Sequence, residues 1–323
     1  MRRALELARM GTGLTSPGAM AGCLLVNHGR IVGEGFYTFD GVRHAEVLAI
    51  EQAEGEARGA TAYVSLEPCS HFGRTPPCAD ALINAGVAKV IVAMSDPNPE
   101  VNGRGIAGLR AAGVVVETGP FQEEARRLNE AFITYKTMQR PFGALKLAMS
   151  LDGKIATASG ESQWITSEES RRKVHELRHA CDAIVTGSGT VLKDNPQLTD
   201  RSGLPRRRDL VRVVLDRRGR VTGRPDLLTF RGRLDEMAQF LYDREIQSFL
   251  LECGPDLAFN AIQAGIIDKI VAFVAPTLLG GREVPAIGGA GAGKLAEAIG
   301  LDLTSVDRAG QDLVITSYVH RNR

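Results

Sequence analysis

The sequence predicts an α/β protein of two domains, and three observations carry that prediction. Short apolar runs of strand character alternate with segments whose apolar residues recur at helical intervals, which implies a largely parallel sheet covered on both faces. The length, 323 residues, suits two ordinary domains. A polar joint at residues 137–140 precedes Pro141, which cannot sit inside a helix and starts a second domain. The boundary therefore falls between domains of residues 1–139 and 140–323.

Residues 3–9 place Ala4, Leu5, Leu7 and Ala8 for a short amphipathic helix, broken by Thr15-Ser16-Pro17-Gly18. Residues 22–27 and 30–35 read as paired strands joined by a turn at His28-Gly29. Residues 44–55 have helical spacing and end in Gly, so His44 and Glu46 belong to a first turn. A strand at 62–66 delivers Pro68 and Cys69, and Cys78 opens the next helix with Ala79, Leu82 and Ile83 on one face. Residues 89–94 and 113–118 are further strands.

In the second half, residues 145–156 form a strand followed by a polar turn, 168–180 a helix and 183–186 a strand. Residues 213–215 form a strand that passes quickly to a helix at 234–242. The strand at 249–252 leads through Gly254 into another helix.

Composition excludes several classes of function. A hydrophobic share of 44% and a charged share of 24% describe a soluble globular protein. A net charge of +1 gives no case for binding nucleic acid or a membrane surface wholesale. No apolar run approaches the roughly 18 residues a membrane span requires. The opening MRRALELARMG lacks the long apolar core of a signal peptide, so the expected compartment is the cytoplasm. Of the five cysteines, Cys23, Cys181 and Cys253 read as small buried residues in a reducing environment.

The chemistry centres on His44-Ala45-Glu46, Pro68-Cys69 and Cys78. One His and two Cys supply three ligands for a tetrahedral zinc and leave the fourth position for water, whose proton zinc loosens near neutral pH. Glu46, not needed as a ligand, is free to act as general acid and base, the arrangement of zinc-dependent base deaminases. A closed structural zinc site needs a fourth His or Cys, and none is obvious nearby. Ligands at two helix starts also favour thiolate over thiol.

The run His44-Ala-Glu46, then Leu66-Glu67-Pro68-Cys69-Ser-His71-Phe-Gly-Arg74-Thr-Pro-Pro-Cys78, resembles the deaminase half of the bifunctional riboflavin-biosynthesis deaminase/reductase family. The Cys-x8-Cys spacing is specific to that resemblance, and Asp96-Pro-Asn-Pro99 with Val101-Asn-Gly103-Arg-Gly105 extends it. Residues 145–186, including Gly160-Glu-Ser162-Gln-Trp164, are similar to the reductase half of the same family. The resemblance implies a cytidine-deaminase-like three-layer domain followed by a dihydrofolate-reductase-like α/β domain.

It also implies one zinc per chain and NADPH as cofactors. Residue by residue, it places NADPH contacts at Ala148, Trp164, Thr190, Asp194 and the turn Gly254, Pro255, Asp256, Leu257, Ala258, Phe259. Ribose-phosphate contacts fall on Ser162, Arg178, Leu198, Arg201 and Glu252, with Lys146 a polar partner for the sugar. The physics agrees in outline: Arg178 and Arg201 can hold a phosphate by forked bonds, and Gly254 lets backbone N–H groups face one.

Two other patterns carry less. His175-Glu176-Leu-Arg-His179 matches the H-E-x-x-H metalloprotease pattern, but the sequence marks no third ligand and the run reads as a polar helix face. Gly187-Ser-Gly189-Thr190 and Gly288-Gly-Ala-Gly-Ala-Gly293 lack the context of a dinucleotide-binding fingerprint and read as loops.

Three departures from the family stand out. Gly18 replaces an Asn that helps hold the pyrimidine. A strand–helix–strand portion is missing between Phe230 and Leu234. Arg217 stands where the family often has Ser beside the cofactor.

The expected function is deamination of a free phosphoribosylaminopyrimidine at zinc, then NADPH reduction of its ribosyl group to ribityl. The rival, kept alive by Gly18, is a reductase whose first domain only scaffolds it. The expected partner is a small molecule, with no nucleic acid and no membrane, and a homo-oligomer is compatible with the sequence.

Overall fold

The structure, a computed structural model, describes residues 1–98, 101–281 and 284–320. Pro99, in one of the family-like stretches, lies outside the described residues. The chain divides into two compact units, Met1–Gln139 with Pro205–Arg208, and Arg140–Leu204 with Asp209–Arg323.

In the first unit, α1 (Arg2–Arg9) turns Ala4, Leu5, Leu7 and Ala8 inward. β1 (Gly22–Asn27) and β2 (Arg30–Phe36) form an antiparallel hairpin. Its turn, His28-Gly29, has φ of 48° and 73°, as a tight two-residue turn of this hand requires. There follow α2 (Ala45–Gln52), β3 (Thr61–Val64), α3 (Cys78–Asn84), β4 (Lys89–Val92), α4 (Arg104–Ala111), β5 (Val115–Thr118), α5 (Gln122–Leu128) and α6 (Glu130–Met138).

The sheet runs β2-β1-β3-β4-β5. β3, β4 and β5 are parallel, but β1 is antiparallel to both β2 and β3. The sheet expected to be largely parallel is therefore mixed in this unit, because a two-residue hairpin can only join antiparallel strands. Ala62, Val64, Val90 and Val92 point into a core shared with Ala49, Leu82 and Leu109. Helix α2 lies directly on β2: a Cβ at Gly33 or Gly35 would collide with the Ala49 or Ala45 carbonyl. Those two glycines let α2 settle close enough to fix where His44 stands.

The second unit contains β6 (Phe142–Ser150), α7 (Glu168–Ala180), β7 (Ala183–Gly187), α8 (Ser188–Asp194), β8 (Val211–Leu215), β9 (Leu228–Phe230) and α9 (Leu234–Tyr242). β10 (Ser248–Leu251), α10 (Pro255–Gln263), β11 (Lys269–Ala275), β12 (Leu301–Ala309) and β13 (Asp312–Val319) complete it. The sheet order is β12-β13-β11-β6-β10-β7-β8-β9. Strands β11 through β9 are parallel, and β13 and β12 extend the sheet antiparallel.

Both faces are covered. Met237, Leu241, Ala258 and Ile262 from α9 and α10 pack with Leu145, Val185 and Leu251. Val174 and Leu177 of α7 pack with Val271, Phe273 and Val314.

Three details differ from expectation. Gly187-Ser188-Gly189-Thr190 is not a loop but the start of α8, held by Val191 packing with Ile184 and Val214. Burial of that one side chain outweighs the glycine, whose cost in a helix is only about 1 kcal/mol. Residues 288–293 do lack helix and strand. Between β8 and α9 the chain does not pass straight to the helix, since β9 first pairs in parallel with β8. Cys181 and Cys253 are half-buried, and only Cys23 of the three is buried.

Candidate active site

The first site is assembled at the ends of elements. His44 is the extended residue before α2, Cys69 lies in the turn after β3, and Cys78 is the first residue of α3. His44 Nδ1 stands 3.1 Å from Cys78 Sγ and 3.5 Å from Cys69 Sγ, and the three ligand atoms lie within 4.8 Å of one another. Zinc–nitrogen and zinc–sulfur bonds of about 2.1 and 2.3 Å put tetrahedral neighbours roughly 3.6–3.8 Å apart; the His44–Cys69 separation of 3.5 Å is close to this, and the His44–Cys78 separation of 3.1 Å would widen by about 0.5 Å around the ion.

The thiols are prepared for a cation. A hydrogen bond from Cys78 brings Cys69 down to about 4, while the same bond and burial push Cys78 up. A bound metal ion would favour the thiolate form of both cysteines. Glu46, in the first turn of α2, is only 6% exposed, and burial raises its carboxyl. A carboxyl in this place can act as both proton acceptor and donor.

Sequence reasoning missed several groups around this site. The Tyr37 ring meets the His44 ring edge-on at 5.2 Å. Burial raises the Tyr37 phenol, and the charges of Arg74 and Arg207 pull the other way. Both guanidiniums also lie over the Phe39 ring, at 4.3 and 3.9 Å. Arg207 Nη1 donates to the Ser16 carbonyl at 2.9 Å, so it braces the loop that carries Gly18. Buried Glu67, close to Cys69 in the chain, accepts from the backbone N–H groups of Asp96, Gly103, Gly105 and Ile106, and thereby moors those family-like residues. Its only signal was its place next to Pro68-Cys69.

The second site is a cavity of about 770 Å³ at the C-terminal ends of β6, β7 and β10, where open parallel sheets bind ligands. Of the residues expected at the cofactor, Ala148, Trp164, Thr190, Asp194, Gly254, Pro255, Asp256 and Leu257 line it. Ala258 and Phe259 do not: Ala258 is fully buried in the core under α10, and Phe259 packs toward Gly289. One turn into α10, side chains point away from the cavity. All six residues expected at the substrate, Lys146, Ser162, Arg178, Leu198, Arg201 and Glu252, line the cavity.

Glu252 is its electrostatic centre. It accepts from Arg178 Nε at 2.7 Å and Nη2 at 3.1 Å, with Lys146 Nζ 3.3 Å away. Burial alone would raise its carboxyl, but Lys146 and Arg178 hold it at about 2. Burial next to this carboxylate pushes the Cys253 thiol up to about 12, so it is no nucleophile at neutral pH. Arg171, unmarked in the sequence, stacks its guanidinium over Trp164 at 4.8 Å. Among the described residues the only group of three or more His/Cys/Asp/Glu side chains placed to hold a metal is His44, Cys69 and Cys78. No described helix is long and apolar enough to cross a membrane.

Comparison with known proteins covers both halves of the chain. Residues 1–94 match the cytidine and deoxycytidylate deaminase zinc-binding region, and residues 141–315 match the RibD C-terminal domain. The chain is 41% identical to the riboflavin biosynthesis protein RibD of Escherichia coli, over 98% of this chain and 97% of that protein. It is 40% identical to RibD of Aquifex aeolicus, over 98% and 96%. The solved structure of Acinetobacter baumannii RibD superposes with a TM-score of 0.90 at 37% identity, covering 99% of this chain and 98% of that one. A diaminohydroxyphosphoribosylaminopyrimidine deaminase/5-amino-6-(5-phosphoribosylamino)uracil reductase from Thermotoga maritima superposes with a TM-score of 0.91 at 36% identity, covering 99% and 97%. With matches of this extent across both halves, the chain belongs to the RibD family of bifunctional riboflavin-biosynthesis enzymes, a zinc deaminase joined to a reductase.

Proposed function

We propose that the domain of residues 1–139 deaminates 2,5-diamino-6-(5-phosphoribosylamino)pyrimidin-4-one and that the domain of residues 140–323 reduces the ribosyl group of the product to ribityl. The observation that carries this reading is the His44, Cys69 and Cys78 triangle with buried Glu46 beside it. Zinc, held by those three residues, supplies Lewis-acid activation of water at the amino-bearing carbon. Glu46 takes the proton and passes it to the departing ammonia; its raised carboxyl suits both directions of transfer.

In the second domain bound NADPH would supply the hydride for the ribose C1 carbon, the bond from C1 to the ring oxygen opening and that oxygen taking up a proton, while the chain's own residues bind and orient. Ala148, Trp164, Thr190, Asp194 and Gly254 to Leu257 form the wall for the cofactor. Ser162, Leu198, Arg201 and Lys146 face the sugar and its phosphate. Arg178 already donates to Glu252 and to the Thr199 carbonyl, so its main work is to hold those two groups in place. Five cysteines that form no disulfide fit a reducing cytoplasm.

The test is to supply the diaminopyrimidine nucleotide and follow ammonia release and NADPH oxidation together. Ammonia should appear first, with NADPH loss following after a lag. NADPH oxidation without ammonia would overturn the assignment and favour a first domain that only scaffolds the reductase.

A further inference from the structure

The polar side chains of the H-E-x-x-H run on α7 are not an idle solvent face. Three of them grip three successive residues of one loop. Arg178 Nη1 donates to the Thr199 carbonyl at 2.9 Å. His179 Nδ1 pairs with Asp200 Oδ2 at 3.0 Å, with the two side chains only 3% and 8% exposed. The backbone N–H of Arg201 donates to His175 Nδ1 at 3.2 Å. Positions i, i+3 and i+4 share one helical face, so residues 175, 178 and 179 form a continuous strip.

Both sides of this contact are anchored. The adjoining face of α7 packs Val174 and Leu177 on Val271, Phe273 and Val314. Its first turn is fixed where Asp312 accepts from the Ser167 N–H and the Ser170 hydroxyl, at 2.7 and 2.5 Å. The loop is the wall of the second cavity: Leu198, Thr199 and Arg201 line it. Leu198 has φ of +52°, a left-handed conformation that a bulky side chain seldom adopts. A backbone of this kind persists only when its surroundings over-determine it, and α7 supplies such surroundings.

We propose that His175 and His179 are positioning residues of the reductase, latching residues 199–201 onto α7 so that Leu198 and Arg201 face the substrate. The inference rests on the reading that those two residues touch the substrate. His175 acts as an acceptor, so its Nδ1 carries no proton in the latched state. His179 closes a nearly dry ion pair or charge-assisted hydrogen bond with Asp200, which fixes the middle of the loop. His179 stands outside the cavity lining, whereas His175 borders the cavity itself, so exchange at the Arg201 amide without ligand is the readout that isolates the latch from any direct contact.

The test uses the full-length, zinc-loaded chain as His175→Ala, His175→Asn, His179→Asn and Arg201→Ala. It compares backbone hydrogen exchange at residues 198–201 without ligand, reductase KM and kcat for 5-amino-6-(5-phosphoribosylamino)uracil, and NADPH affinity. His175→Ala should speed exchange at the Arg201 amide. It should also raise KM about three- to tenfold, the worth of one net hydrogen bond, with kcat and NADPH affinity changed less than about twofold. His175→Asn, whose Oδ1 can accept the same N–H, should restore both, a rescue that a merely space-filling role would not show. His179→Asn keeps a donor for Asp200 and should fold and behave like wild type in exchange.

Wild-type exchange at Arg201 in His175→Ala would overturn the latch, as would an unchanged KM in that variant while Arg201→Ala raises it. An Arg201→Ala enzyme with wild-type KM would instead overturn the substrate assignment of the loop, and the exchange result alone would then decide the latch.

Discussion

The ring of Tyr37 occupies the space that a side chain at Gly18 would need: a Cβ built on Gly18 would stand 2.9 Å from Tyr37 Cε1 and 3.0 Å from the Thr15 carbonyl oxygen. Gly18 is not in the left-handed region, so its lack of a side chain answers to Tyr37 and not to backbone conformation. Because Tyr37 also abuts the ligand His44, moving it would disturb the metal site. Gly18→Asn alone should therefore lower ammonia release, and adding Tyr37→Ala should recover part of the loss. Rates at equal zinc content decide this; a gain from Gly18→Asn alone would show that Tyr37 yields freely.

Zinc content should depend on His44, Cys69 and Cys78 and not on Glu46. His44→Ala, Cys69→Ser or Cys78→Ser opens the ligand triangle, whereas Glu46→Gln leaves it intact. Loss of the proton shuttle should cost about a hundred- to ten-thousandfold in deaminase rate. Metal analysis and ammonia release on the same preparations are the check, and a zinc-free Glu46→Gln enzyme would contradict the assigned roles.

Arg178 and Arg201 should behave differently when truncated. Arg178 forms a largely buried pair with Glu252, at 15% and 10% side-chain exposure, so Arg178→Ala should destabilise the fold. The loss could reach roughly 3–5 kcal/mol, lessened by Lys146 beside the same carboxylate. Exposed Arg201 should leave stability within about 0.5 kcal/mol and weaken only the phosphorylated substrate. Urea unfolding alongside substrate titration separates the two.

Glu252 should make the second unit sensitive to acid. Its carboxyl is held at about 2, below its ordinary 4.5, so the stabilisation is fully present above pH 4.5. It is lost as pH falls through about 2, on the order of 3 kcal/mol in all. Glu252→Gln should abolish that part of the pH dependence. Urea midpoints for wild type and variant across this window test it, and parallel curves would count against the charge network.

Much of the first site was legible because its chemistry travels with residue type and spacing. His44 and Glu46 open one helix, and Cys69 and Cys78 flank a turn and a helix start. Local rules place all four within a few residues of their observed positions. The role of Glu67 was not legible, since a carboxylate that gathers four backbone N–H groups shows no pattern until the 96–106 stretch folds over it. Ala258 and Phe259 fall outside the cavity wall for a related reason. Carrying over a run of six residues ignores that helix α10 turns its side chains by about 100° per residue, so that only the first turn faces the cavity.

By itself the sequence determined the zinc ligands, the alternation of strands and helices, and the span of α7 from Glu168 to Ala180, because periodicity and ligand chemistry are local properties. Only the tertiary structure decided that Tyr37 fills the place beside Gly18, that Arg178 meets Glu252 across 74 residues of chain, and that His179 and His175 meet Asp200 and the Arg201 amide. Such pairings are settled by strand order and helix packing. A hydrogen bond tolerates only a few tenths of an ångström, and nothing along the chain records the distance between segments that meet only after the sheet has formed.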